Sequence, residues 1–160
     1  MSQSQQMRDM NKHFSKSFSV SDQTVFASLS GDYNPVHYDE RWTNEKGFNG
    51  LICHGLLVGA MICEFGGQVG WLATGMNFKY IRPVYFGDTI QCVVSITEIK
   101  ETGRAKAEAI FINQGKKKIG IAQMTGRLPI KNEINILNTM TREGDPTNRL
   151  AEERYPLLDV

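Results

Sequence analysis

GLLVGAMICEF, residues 55–65, is the stretch whose reading decides the fold. Wound as a helix, it is apolar on nearly every face, and Glu64 is its only charge. A helix that is hydrophobic all round must be buried all round. This one is therefore expected at the centre of the molecule, with GGQVG, residues 66–70, ending it.

Downstream of the helix the period changes from helical to alternating. MNFKYI, residues 76–81, puts Met76, Phe78 and Tyr80 on one face and Asn77 and Lys79 on the other. Arg82-Pro83 interrupts that run, and Gly87-Asp88 marks a turn. In TIQCVVSITEI, residues 89–99, Ile90, Cys92, Val94 and Ile96 share a face. Glu101-Thr102-Gly103 turns the chain into RAKAEAIFIN, and Asn113-Gln114-Gly115 turns it again into KKIGIAQMTGRL, closed by Pro129. Alternating runs joined by Gly-containing turns predict an antiparallel meander.

Upstream, Phe14, Phe18 and Val20 in FSKSFSV read as one side of a short strand. Ser21 then suits an N-cap, with Asp22 in the first turn and Val25, Phe26 and Leu29 at helical spacing, up to Gly31. Asp39 is placed to cap a further short helix through Glu45, stopped near Gly47. The resulting fold class is α+β, an antiparallel sheet wrapped around a long central helix. One such sheet covers only part of an all-apolar helix, so a second copy of the chain is expected to cover the rest.

The chain divides into a flexible N-terminus (1–13), a domain over 14–130 and a polar C-terminal extension (131–160). In the extension Ile134, Ile136, Leu137 and Leu150 follow no sustained period, which leaves disorder or a course along a partner subunit open. A chain of 160 residues suits a single core. With 18 basic and 17 acidic residues its net charge is +1, which supplies no field for nucleic acid or an anionic membrane. The only basic cluster in sequence, Lys116-Lys117-Lys118, falls in a hairpin.

Cys53, Cys63 and Cys92 are odd in number and lack C-x-x-C spacing, which speaks against a zinc site or a disulfide framework and for reduced thiols. No metal and no cofactor is expected. The first residues contain no apolar signal segment, and no apolar run reaches the roughly 18 residues of a membrane span, so the reading is soluble and cytoplasmic. The glycines of GGQVG follow a helix, whereas a phosphate-cradling loop precedes one.

Chemistry concentrates in SGDYNPVHYD, residues 30–39. Asn34-Pro35 starts a turn that can bring Asp32 and His37 together. A carboxylate beside an imidazole is an acid/base pair, and the carboxylate fixes the imidazole's tautomer. Spacing alone leaves open a plain Asx-turn with a surface or packing histidine, and the clustering of Asp32, Asn34 and His37 in one loop between short helices favours the catalytic reading. In ICHGLLVG, residues 52–59, Gly55 falls in the first helical turn, where an unbonded N–H can hold an oxygen that gains charge. His54 beside it reads as a packing or supporting residue.

FASLSGDYNPVH, residues 26–37, resembles the signature of the MaoC-like, R-specific enoyl-CoA hydratase family. Phe26, Leu29, Ser30, Gly31, Asp32, Asn34, Pro35, Val36 and His37 all fit its pattern. GFNGLICHG and MNFKYIRPVYFGDTI resemble further segments of that family, and the likeness covers about residues 14–130. Thr43 departs mildly from the small residue expected six positions after His37.

The resemblance implies the hot-dog fold and paired subunits, as a homodimer or higher homo-oligomer. It implies a catalytic pair at Asp32 and His37, an oxyanion donor at the Gly55 N–H, and Asn34, His54 and Leu56 around the substrate. The activity implied is reversible hydration of a 2-enoyl thioester, on coenzyme A or an acyl carrier, to the (R)-3-hydroxyacyl thioester. Two other readings remain: a hot-dog acyl-CoA thioesterase, for which the helix offers only Glu64, and an acyl-thioester binding module without turnover. Leu56, Leu57, Met61, Phe48 and Trp71 are read as core that could also line an acyl tunnel.

Overall fold

The structure, a computed structural model, describes residues 11–143. Most of the expected flexible N-terminus lies outside the described residues, as do Pro146, Leu150 and Pro156 of the extension. Asn11, Lys12 and His13, assigned above to the flexible segment, instead open a strand.

Five antiparallel strands form one sheet: β1 (Asn11–Ser17), β2 (Leu72–Tyr80), β3 (Thr89–Ile99), β4 (Arg104–Asn113) and β5 (Lys118–Arg127), in the order β1-β3-β4-β5-β2. The meander β3-β4-β5 is as the alternation predicts. Ile90, Cys92 and Val94 are fully buried on the inner face and Ile96 almost so, opposite Phe111, Ala109 and Ala107 of β4. Burying each branched side chain contributes roughly 1.5–3 kcal/mol over leaving it exposed. A single residue of slack is absorbed by a bulge between Ile96 and Glu98.

The central helix differs from its expected form. It is two segments, α3 (Gly55–Gly59) and α4 (Met61–Val69), meeting at Ala60, where the Cys63 N–H bonds the Ala60 carbonyl at 2.9 Å in a tighter turn. It runs through Gly66-Gly67 and stops at Gly70, whose left-handed φ of 67° caps it. Nor is it buried on every side. Val58, Met61, Ile62, Phe65 and Val69 enter the core, while Leu56, Ala60, Cys63 and Glu64 form an exposed stripe.

The first helix, α1 (Val20–Ser30), also departs from expectation. Its N-cap is Ser19, which exchanges bonds with Asp22 in a capping box, so Ser21 is already helical. Val20 belongs to this helix rather than to the strand. Gln23 and Ala27 face inward while Val25 and Leu29 are exposed. The helix is held by its caps and by what Gln23 bonds, not by an apolar face at the expected spacing. Gly31 ends it in the left-handed region, φ 71°.

Pro35–His37 form a single 3-10 turn and Glu40–Glu45 a short helix α2, capped by Asp39 as expected. The extension forms α5 (Asn132–Glu143), and Leu137 packs against the core near Gly70 and Pro129. Among the described residues, no helix is long and apolar enough to cross a membrane.

Candidate active site

The loop between α1 and α2 is built around its own side chains. The Asp32 Oδ1 accepts the Asn34 N–H at 3.1 Å, and the Asn34 Oδ1 accepts the Val36 N–H at 3.2 Å. Pro35 occupies the first position of the 3-10 turn, where its missing N–H is not needed. The turn delivers His37 inward. Gln23 of α1 donates its Nε2–H to the His37 carbonyl at 2.7 Å, and the Ile52 N–H bonds the Val36 carbonyl at 3.2 Å.

His37 is 6% exposed, and its Nδ1 lies 2.7 Å from the Ile52 carbonyl oxygen. A carbonyl only accepts, so the proton of the neutral ring sits on Nδ1 and Nε2 presents a lone pair. That Nε2 is 3.8 Å from the Asp32 Oδ2. The gap exceeds a direct hydrogen bond yet lets one water touch both atoms. Burial, with the neighbouring His54 adding to it, lowers the His37 pKa below the ordinary 6.5, against the opposing pull of the Ile52 carbonyl and Asp32. The ring is thus neutral, and able to take a proton, at neutral pH.

His37 forms part of the wall of a cleft of about 400 Å³ between the helix α3 and strands β2 and β5. The rest of the wall is largely apolar: Phe48, Val58, Phe78, Phe111 and Ile119, with Gly55 beside His37 and Lys79 and Arg82 completing the β2 side. Gly55 is the first residue of α3, so its N–H has no intrahelical partner. A Cβ at this position would lie 2.8 Å from the Tyr80 ring. Gly59, one turn on, is similarly close to Phe78, and the two β2 rings are parallel with centroids 6.3 Å apart. The close approach that Gly55 permits is therefore that of an aromatic side chain from β2.

Among the residues singled out from sequence, His37 and Gly55 line the cleft. Asp32 does not; its half-exposed carboxylate lies beside the His37 Nε2. Asn34 shapes the turn, His54 is buried behind His37, and Leu56, expected near the substrate, projects to the exposed face of α3 instead. Of the tunnel candidates only Phe48 lines the cleft; Leu57, Met61 and Trp71 do not, and neither does Glu64. Thr43 is fully buried and donates to the Glu40 carbonyl, so its extra methyl is accommodated.

Tyr80, Phe78 and Gln23 were not foreseen as site residues. The alternation of β2 gave the first two a common face but not what that face meets.

Asp32, His37 and His54 hold potential ligand atoms within 4.8 Å of one another. The His54 Nε2, however, donates to the Asp32 carbonyl at 2.8 Å, and the two rings are stacked with centroids 3.7 Å apart. With its proton on Nε2, His54 offers no lone pair toward Asp32 and His37, so the donor set suits a water better than a metal. Cys53 also lines the cleft, but burial pushes its thiol up to about 12, leaving it protonated and poorly nucleophilic.

Comparison with known protein families gives a match over most of the chain. The description "MaoC like domain" fits residues 3–114. The chain belongs to the MaoC-like domain family.

Relatives of this MaoC-like chain include an (R)-specific enoyl-CoA hydratase from Aeromonas caviae, 31% identical over 91 residues, 54% of this chain and 68% of that one. A 3-hydroxybutyryl-CoA dehydratase from Methylorubrum extorquens is 27% identical over 128 residues, 76% of this chain and 80% of the other. Among solved structures, an unliganded R-hydratase from Pseudomonas aeruginosa superposes with a TM-score of 0.69 at 27% identity, covering 76% and 81% of the two chains. The MaoC-like chain thus has the hot-dog fold expected from its sequence.

Proposed function

We propose that this chain adds water reversibly to a 2-enoyl thioester, giving the (R)-3-hydroxyacyl thioester, the hand being that of its Aeromonas relative. The observation that carries this reading is the His37 tautomer. With Nδ1–H committed to the Ile52 carbonyl, Nε2 is a free acceptor 3.8 Å from the Asp32 carboxylate, on the wall of an apolar cleft.

A water held by the pair gives a proton to His37 Nε2 as its oxygen bonds C3. The π electrons of the double bond move toward the thioester oxygen, where the Gly55 N–H receives the developing charge. The pair then returns a proton to C2, and dehydration reverses each step. Acid/base assistance of this kind is worth about 10²–10⁴-fold in rate, and an oxyanion donor about 10²–10³-fold.

The working form is inferred to be a homodimer or a higher homo-oligomer. Among the described residues, strand β2 has β5 on one side and no strand on the other, and Leu72 and Tyr80 on it are more than half exposed. The Leu56 stripe of α3 is likewise exposed, and an apolar open edge is a template for pairing. The acyl carrier is coenzyme A or an acyl-carrier protein, and the free thiols of Cys53, Cys63 and Cys92 suit the cytoplasm.

Crotonyl-CoA tests the reading. Fading of the conjugated thioester absorbance without release of thiol is expected. Thiol release would identify a thioesterase instead, and tight binding with neither signal would identify a binding module.

A further inference from the structure

Building on the hydratase reading, we propose that His54 is the positioning residue of the site, anchoring Asp32 through its main chain. His54 is 1% exposed and does not line the cleft, so it acts on the pair and not on the substrate. Its Nε2–H bonds the Asp32 carbonyl oxygen at 2.8 Å across 22 positions of sequence. Its ring stacks on His37 at 3.7 Å between centroids and 23° between planes, and Phe26 of α1 contacts it at 5.2 Å. It is also the N-cap residue of α3, immediately before Gly55. One side chain therefore ties the carboxylate loop, the imidazole and the start of the donor helix to each other.

The second nitrogen supports this assignment. His54 Nδ1 is buried with no hydrogen-bond partner among the described residues. An unsatisfied buried acceptor is destabilising, because the hydrogen bond it made to water in the unfolded chain is not replaced. An apolar ring would fill the same space without that cost, so what histidine adds here is the Nε2–H bond to Asp32. Released from it, the Asp32 loop could shift relative to His37, and a displacement of ~1 Å at a reacting pair costs ~10²-fold in rate.

Two amide variants separate this role from simple packing. His54→Gln places an N–H near the position of Nε2, whereas His54→Asn places one near Nδ1, short of the Asp32 carbonyl. With crotonyl-CoA, His54→Asn is expected to lower kcat by about ten- to a hundredfold with KM within about threefold, and His54→Gln to recover kcat to within about threefold of the wild type. Thermal unfolding shows whether both are folded. Should either amide fail to fold, His54→Phe, which keeps the ring and loses only the donor, is expected to show the same loss in kcat. Equal kcat for Asn and Gln, a loss confined to KM, or wild-type kcat in the Phe variant overturns the role of His54 alone. Absence of turnover in the wild type overturns the hydratase reading, and this inference with it.

Discussion

The two walls of the cleft are built differently. On the His37 side the polar atoms that set the loop are tied within the chain: Asp32 to Asn34, Asn34 to Val36, His37 to Gln23 and Ile52. On the β2 side Phe78 and Tyr80 stack on each other, yet Tyr80 is 55% exposed and, among the described residues, the strand is paired along one edge alone. Among the described residues the first wall has its loop-setting polar atoms bonded, whereas the second leaves a strand edge unpaired. Catalytic groups need a fixed mutual geometry, which local hydrogen bonds supply. An apolar strand edge needs only a neighbour, and a second copy can be that neighbour.

Breaking the bonded wall is expected to have the largest effect. Asp32→Asn or His37→Asn should each lower kcat on crotonyl-CoA by about 10²–10⁴-fold, and the double variant by little more, because the two act on one water. Sedimentation should show both variants in the wild-type assembly state. A variant that hydrates crotonyl-CoA at the wild-type rate would remove that residue from the mechanism.

The pH profile sharpens the same wall. In the proposed mechanism the neutral ring is the active form, and burial holds its pKa below 6.5. The profile of kcat/KM should therefore be level near pH 7 and fall about tenfold per unit only below the lowered pKa, since a proton on Nε2 removes the acceptor. An acid limb centred above pH 7 would contradict the geometry. The same shift makes the unfolded chain bind more protons than the native one in this window. Its contribution to stability is thus fully present above pH 6.5 and lost as pH falls through the folded value.

Gly55→Ala strikes both walls, because the new methyl group would meet the Tyr80 ring at 2.8 Å. Overpacking of this kind costs about 1–3 kcal/mol, and the displaced ring or helix start should lower kcat/KM alongside Tm. An unchanged Tm would mean that Tyr80 swings aside freely. The smallest catalytic effect is expected from the open wall alone. Leu56→Lys with Met76→Lys charges the exposed helix stripe and the strand edge, and should shift the protein toward monomer in sedimentation with a smaller loss of kcat than either loop variant. Retention of the wild-type size would place the subunit contact elsewhere.

How much of this was legible in the sequence depends on how local each feature is. The inner faces of β3, β4 and β5 follow directly from alternation, because Gly-containing turns fix their pairing and register. The Asp32–His37 approach follows from a turn whose Asp32–Asn34 and Asn34–Val36 bonds lie within a few residues. By contrast, the Ile52 carbonyl that sets the His37 tautomer is 15 positions away, and His54, 17 positions from His37, meets it only because α3 packs behind the loop. Leu56 was placed by its neighbours in sequence, and the helix turned it the other way.

By itself, the sequence determined an antiparallel meander with an apolar helix and a turn that carries residues able to exchange a proton, since these rest on side-chain period and turn chemistry; the hot-dog fold class came from the family resemblance. Only the tertiary structure decided which nitrogen of His37 is free, which face of the helix is covered, and that Tyr80 stands over Gly55. Those depend on contacts between segments far apart in the chain, whose relative placement is set by packing the whole core and carries no local signature.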